Sequence, residues 1–350
     1  MTSSGLSRQL GLRSLTLAVV TSTIGSGWLF APFYAARSAG FIGGWSAWIA
    51  YLALPTIEVL AVLAWINLAG VGWLARWIDG LTAWKLAIPL LISITLMLAS
   101  GHWGNLRAIP QNPAQTLQGM VTAISSGGIL FSLLGFRTAM DLAGEARRPQ
   151  RTVPLAMPLG LGLSLAVYVI LQLAFLVSVP PDQLAGGWAR LQLSAHSGPL
   201  VALAMGLGLG WVARLLLLDA VISPSATAMA YMGASERVGW MMGRCGLLPG
   251  SLGRLNRHAV PSVALLVSLA MGVLMLLSGP SWQTVVSFLT ATLVIALAMG
   301  PVSLIALRKQ LPQAHRAYRQ PYAHLWCPSA FVLAISAISW CGSSALRGAS

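Results

Sequence analysis

The segment Val153–Ser178 runs for 26 residues without a charged side chain, and similar stretches recur along the chain. About 20 such residues suffice to cross the hydrocarbon of a bilayer. No water is available there to complete backbone hydrogen bonds, so each crossing has to satisfy its own N–H and C=O groups, as a helix does. The composition agrees: 57% of residues are apolar and 8% charged, against roughly 25% charged residues in a soluble domain. The sequence therefore describes an all-α polytopic membrane protein, a single transmembrane unit over residues 1–350 with no soluble domain or low-complexity tract.

Nine spans are read, at about 15–38, 45–74, 79–100, 118–141, 153–178, 199–232, 260–278, 283–307 and 323–346. The first follows Arg8 and Arg13, as a signal peptide would, but its apolar stretch is long and further spans follow, which favours an uncleaved span. With the N-terminus in the cytoplasm, fourteen lysines and arginines fall in inner segments and four in outer ones. That is the positive-inside bias, and it fixes the orientation. The net charge of +14 is thus a topology signal with no nucleic-acid partner implied. The inner segment Ala234–Ala259 reads as a surface helix and a turn, with Met241, Met242, Leu247 and Leu248 on an apolar side and Arg237 and Arg244 on a basic one.

Two spans are interrupted. Residues 21–33 place Gly25-Ser26-Gly27 at membrane depth, and residues 125–136 carry Gly127, Gly128 and Gly135. Glycine lets a helix unwind and brings main-chain amides close to a bound group, and discontinuous helices are a binding device of secondary transporters. Close helix packing through small residues is the competing reading of the first triplet. The runs Gly160-Leu-Gly162 and Gly206-Leu-Gly208-Leu-Gly210 lack the strand–turn–helix setting of a nucleotide loop, so they read as packing. The five histidines lie in loops without metal-ligand spacing, and Cys245, Cys327 and Cys341 show no pairing pattern. With no nucleophile–base constellation either, neither an enzyme nor a cofactor or metal is expected.

Three motifs occur in order: "IGSGWLFAP" at 24–32, "FSLLGF" at 131–136 leading to "LAGEARRPQRTVP" at 142–154, and "DAVISPSAT" at 219–227. Together they resemble the amino acid–polyamine–organocation (APC) superfamily of amino acid permeases. The "GSGWLFAP" form and "LALPTIEV" at 52–59 are similar to a bacterial subgroup with aspartate–proton symporter-like members. The resemblance implies a LeuT-type fold of two inverted five-helix repeats, with substrate between unwound first and sixth family helices. Thr23, Ile24, Gly25, Ser26 and Gly27 would then form one side of the substrate site, the amides of Ser26 and Gly27 facing an α-carboxylate at the positive end of a half-helix. The carbonyls of Thr23, Phe131 and Leu134 would take the α-ammonium, with Phe131 and Gly135 shaping the pocket.

Lys85 matches the family's fifth-helix lysine, which in proton-coupled members fills the place of a sodium ion. The resemblance implies that its amine meets a carbonyl near Gly25 and Ser223 or Ser225, and that it releases a proton as the site alternates. Snorkelling is the competing reading, since Lys85 stands about 10 Å from the inner end of its span. Glu58, mid-span, reads equally as a coupling or selectivity group and as a structural hydrogen-bond partner. Asp219 reads as structural beside Pro224, and Arg137 and Asp141 as an i,i+4 pair.

The chain also departs from the resemblance. The family's second helix is missing between Ser38 and Trp45, its third appears fused to the end of the fourth over Glu58–Arg76, and its twelfth is absent, which leaves an incomplete first repeat. Two functions follow. One is a proton-coupled permease in the bacterial inner membrane, with an amino acid as substrate, the proton as coupling ion and the bilayer as surroundings. The other is a non-transporting remnant or a membrane partner subunit. The orientation has a direct test. With Cys245, Cys327 and Cys341 replaced, Ala349→Cys is expected to react with a membrane-impermeant thiol reagent in intact cells, and Ser3→Cys is expected not to; the reverse pattern would overturn the topology.

Overall fold

The computed structural model describes residues 9–24, 71–107, 129–184, 188, 191, 193, 198–277, 282–314 and 321–347. Its architecture is helical. α1, Leu12–Thr23, starts after the extended Gly11 and stops at Ile24, whose N–H still bonds Val20 O. The backbone of Ile24 then leaves the helical region at ψ 86°. α2, Val71–Ser100, passes through Pro89 without ending. Pro89 has no N–H to offer the carbonyl one turn back, that of Lys85, so the helix is weakened next to its one buried lysine.

The interrupted segment after residue 128 contains no long helix. α3, Ile129–Leu133, passes into a 3₁₀ turn at Leu134–Arg137, then α4, Thr138–Asp141, then a second 3₁₀ turn at Ala143–Glu145. The described part of the span expected at 118–141 is thus broken at Leu134–Arg137. The Arg137–Asp141 pair forms at 3.2 Å, as their spacing suggests. α5, Pro149–Ser178, opens with proline at its first position, where the missing N–H costs nothing. The Asn105 amide closes its far end by donating to Leu176 O at 2.9 Å and Val179 O at 2.8 Å.

The next two expectations need correction. The stretch 199–232 is two helices, α6 at Pro199–Gly206 and α7 at Gly210–Arg244, because Gly208 adopts a positive φ of 72° and ends the first. The surface helix expected from Ala234 is the continuation of α7, which no break interrupts before Arg244. At 35 residues α7 is about 52 Å long, well beyond the ~30 Å of hydrocarbon, so part of it extends past the apolar layer. Met241 near its end and Leu247 just after it are exposed, whereas Arg237 is buried, on the opposite footing to a basic solvent face. α8 (Ser262–Leu277), α9 (Trp282–Gln310) and α10 (Ala323–Arg347) complete the described helices. Among the described residues four helices are long and apolar enough to cross a membrane: Arg76–Ser100, Pro149–Ser178, Gly210–Arg244 and Phe288–Gln310.

α1 lies at the centre, packed on α2, α5, α7 and the Leu134–Arg137 turn. One apolar cluster joins Val20 and Ile24 of α1 to Ile92, Leu171, Phe175 and Leu216. A second joins Leu15 and Val19 to Ala139, Ala156, Met229 and Leu265. α9 and α10 pack mainly on each other and leave Phe288, Ile295, Met299 and Leu333 exposed, as side chains facing lipid would be. Arg214, near the start of α7, is also exposed.

The Arg237 end of α7 is held by charge. Arg237 Nε and Nη2 donate to the two oxygens of Glu145 at 3.1 and 3.0 Å, and Nη1 bonds both Gly233 O at 2.6 Å and the Glu236 carboxylate. All three side chains are at most 2% exposed. The same turn is tied to the start of the chain by two main-chain bonds of 2.9 Å, from Leu10 N to Glu145 O and from Arg147 N to Leu10 O. Removing the cation strands two buried carboxylates, a loss of about 3–5 kcal/mol for such a group. Arg237→Ala is therefore expected to lower the detergent-solubilised melting temperature strongly; a variant that melts with the parent chain would refute the buried pairing.

Candidate functional site

A helix that stops inside an apolar bundle leaves its last carbonyls without intrahelical partners. At membrane depth each unsatisfied carbonyl is expensive. α1 stops in this way at Ile24, and side chains from three other helices converge on its end. Lys85 of α2 donates from Nζ to Thr21 O at 2.8 Å and to Ile24 O. Thr227 of α7 donates from Oγ1 to Thr21 O at 3.0 Å, with Ile24 O at 3.3 Å. Tyr168 of α5 donates from its phenol to Thr23 O at 2.7 Å. The ammonium also reaches Thr227 Oγ1 at 2.6 Å, so α2 and α7 meet each other through the end of α1. A cation suits this position, because the C-terminal end of a helix carries partial negative charge.

The approach is close because small side chains allow it. A Cβ on Gly160 would stand 2.5 Å from Val19 Cγ1, and one on Gly135 would stand 2.5 Å from the Ser22 carbonyl carbon and overlap the Thr23 amide. Ser22 Oγ exploits that approach, donating to Gly135 O at 2.8 Å. Tyr168 spans the two interrupted segments, since its hydroxyl also lies 3.3 Å from Ser132 O. The end of α1 and the Ser132–Gly135 stretch are therefore adjacent in space.

Lys85 is fully buried, with its amine on the carbonyls of Thr21 and Ile24. The hydroxyl beside it is that of Thr227. Ser223, also buried, donates instead to Asp219 Oδ1 at 2.8 Å. Ser225 is half-buried and bonds Val221 O on its own helix at 2.7 Å, away from the amine. The reason is helical period: positions 219, 223 and 227 share a face of α7, and 225 lies across from it. Thr23 and Ile24 stand at the end of α1, with Thr23 O engaged by Tyr168. Gly135 is buried against Ser22 and Thr23, Phe131 is half-buried on α3, and the Leu134 side chain packs with Val294 of α9. Gly25, Ser26, Gly27 and Glu58 lie outside the described residues.

Thr227, Tyr168 and Ser22 are additions to the expected set. Thr227 is legible as the i+4 neighbour of Ser223, and Tyr168 as a hydroxyl within an uncharged span; nothing in the sequence points specifically to Ser22. Tyr168→Phe leaves Thr23 O without this donor, a loss of about 1–3 kcal/mol for a buried acceptor. A melting temperature several degrees below the parent is expected in detergent, and an unchanged one would show that Thr23 O finds another donor.

Residues 54–344 match the sequence profile of the family described as amino acid permease. The glutamate/serine transporter AimA of Bacillus subtilis is 24% identical over 96% of this chain and 78% of its own length. The aspartate–proton symporter of the same organism is 30% identical over 64% of this chain and 43% of its own length. The cadaverine/lysine antiporter of Escherichia coli is 26% identical over 61% of this chain and 46% of its own length. The chain thus covers less than half of the last two relatives. The AimA alignment runs over 422 positions, more than the 350 residues of this chain, so internal stretches of that relative have no counterpart here.

Proposed function

We propose, from the premise that this chain belongs to the amino acid permease family, that it carries amino acids across the bacterial inner membrane together with a proton. The observation that carries the reading is the bridge made by Lys85: a buried ammonium held by two carbonyls at the end of α1 and by Thr227 of α7. A fixed cation there ties α2 to both α1 and α7 when charged and weakens that tie when neutral. Proton occupancy is thereby linked to the arrangement of the helix that carries the Gly25-Ser26-Gly27 break. A snorkelling lysine would instead reach for the membrane surface; this one is fully enclosed.

In this proposal the fold is LeuT-type, with nine spans, a cytoplasmic N-terminus and a shortened first repeat; the length of the AimA alignment supports internal shortening of the chain without locating it. The amides of Ser26 and Gly27 receive the substrate carboxylate. The carbonyls of Phe131 and Leu134 receive its ammonium, with Thr23 O contributing the lone pair that Tyr168 leaves. The named activities of AimA and of the symporter make glutamate, aspartate and serine the first substrates to try.

Purified protein in liposomes tests this. An inward proton gradient is expected to drive accumulation of at least one of these amino acids by the parent chain. Lys85→Arg is expected to abolish it, because a guanidinium keeps its proton across the working pH range. Accumulation by Lys85→Arg at the parent rate would sink the coupling role, and no uptake by the parent would favour a non-transporting remnant.

A further inference from the structure

Asp219 is fully buried on α7, two helical turns before Thr227 and on the same face. Its Oδ1 accepts the indole N–H of Trp84 at 2.7 Å and the hydroxyl of Ser223 at 2.8 Å. Trp84 and Lys85 are consecutive residues of α2, so this one stretch of helix engages both ends of the α7 polar face. The Lys85 ammonium donates to two carbonyls and a hydroxyl, all neutral. Dipoles solvate a buried ammonium but do not balance its charge, and a lone buried ion is costly. Asp219 is the carboxylate whose field acts on this amine.

We infer that Asp219 is the counter-charge of Lys85: the two form a separated ion pair across the α2–α7 interface, and Asp219 is a positioning residue for the coupling site. Trp84 and Ser223 hold the carboxylate off the amine, which leaves the ammonium free to take the α1 carbonyls. A carboxylate in direct contact would compete with α1 for those N–H donors. Removing either charge consequently strands the other.

That statement makes a sign prediction that a purely structural aspartate does not. Asp219→Asn keeps an oxygen for Trp84 and Ser223 but removes the charge. In the parent chain it strands the lysine and is expected to lower the melting temperature in detergent by roughly 3 °C or more. In a Lys85→Met background it removes a stranded carboxylate and is expected to raise the melting temperature by a similar amount. An aspartate serving only as a hydrogen-bond anchor would give the same sign in both backgrounds, and that result would overturn the inference. If Asp219→Asn alone yields no folded protein, recovery of folded protein in the double variant reads the same reversal; a double variant that also fails to fold overturns it. The inference rests on the coupling reading of Lys85, yet melting requires no transport. A reversal of sign in a chain without gradient-driven uptake would therefore support the pair while refuting the coupling role.

Discussion

The site depends on where α1 stops. Its last carbonyls are stranded in a region where water cannot reach them, and the surrounding helices are arranged to supply donors: an ammonium from α2, a phenol from α5 and a hydroxyl from α7. These donors differ in kind. The hydroxyls of Tyr168 and Thr227 are neutral, whereas the lysine brings a charge to the negative end of the helix. The end of α1 is therefore held by two neutral donors and one cation.

These bonds work only at short range, and the fold supplies that range through residues with almost no side chain. Gly160 admits Val19 and Gly135 admits the Ser22–Thr23 backbone to distances that a Cβ would forbid. The glycines that look like flexible points in the sequence serve here as contact points. Flexibility and close packing call for the same residue type, so glycine content alone does not distinguish a hinge from a clamp.

The helical membrane class was fully legible, because uncharged stretches above 20 residues leave few options at bilayer depth. The helix ends were less so. Gly208 stops α6 through a positive φ, whereas Gly233 and Gly239 pass within α7 unnoticed; the difference lies in tertiary contacts that no local pattern carries. Arg237 illustrates the same limit. On a helical wheel it belongs to a basic outer face, but Glu145, 92 positions away in sequence, turns it inward. The resemblance directed Lys85 toward the Gly25 break and offered Ser223 or Ser225 as its hydroxyl partner. Counting in steps of four from Ser223 leads to Thr227 and excludes Ser225, so that part was available from periodicity. The separation of Lys85 from Asp219 by Trp84 was not, since it depends on how α2 meets α7.

The two bonds between Leu10 and the Glu145–Arg147 backbone have a mechanical consequence. They are main-chain bonds, indifferent to the side chains at those positions, and they fasten the start of α1 to a turn that Arg237 anchors to α7. α1 is thus moored at both ends to the same partner, near Thr227 by one lysine and near Arg237 by a short splice and a buried ion pair. Unhooking the lysine alone leaves the bonds from Tyr168 and Thr227 in place at that end. Releasing the Leu10 end requires breaking several bonds together. The two moorings therefore differ in vulnerability: one is made of side chains that single substitutions remove, the other of backbone that no substitution reaches.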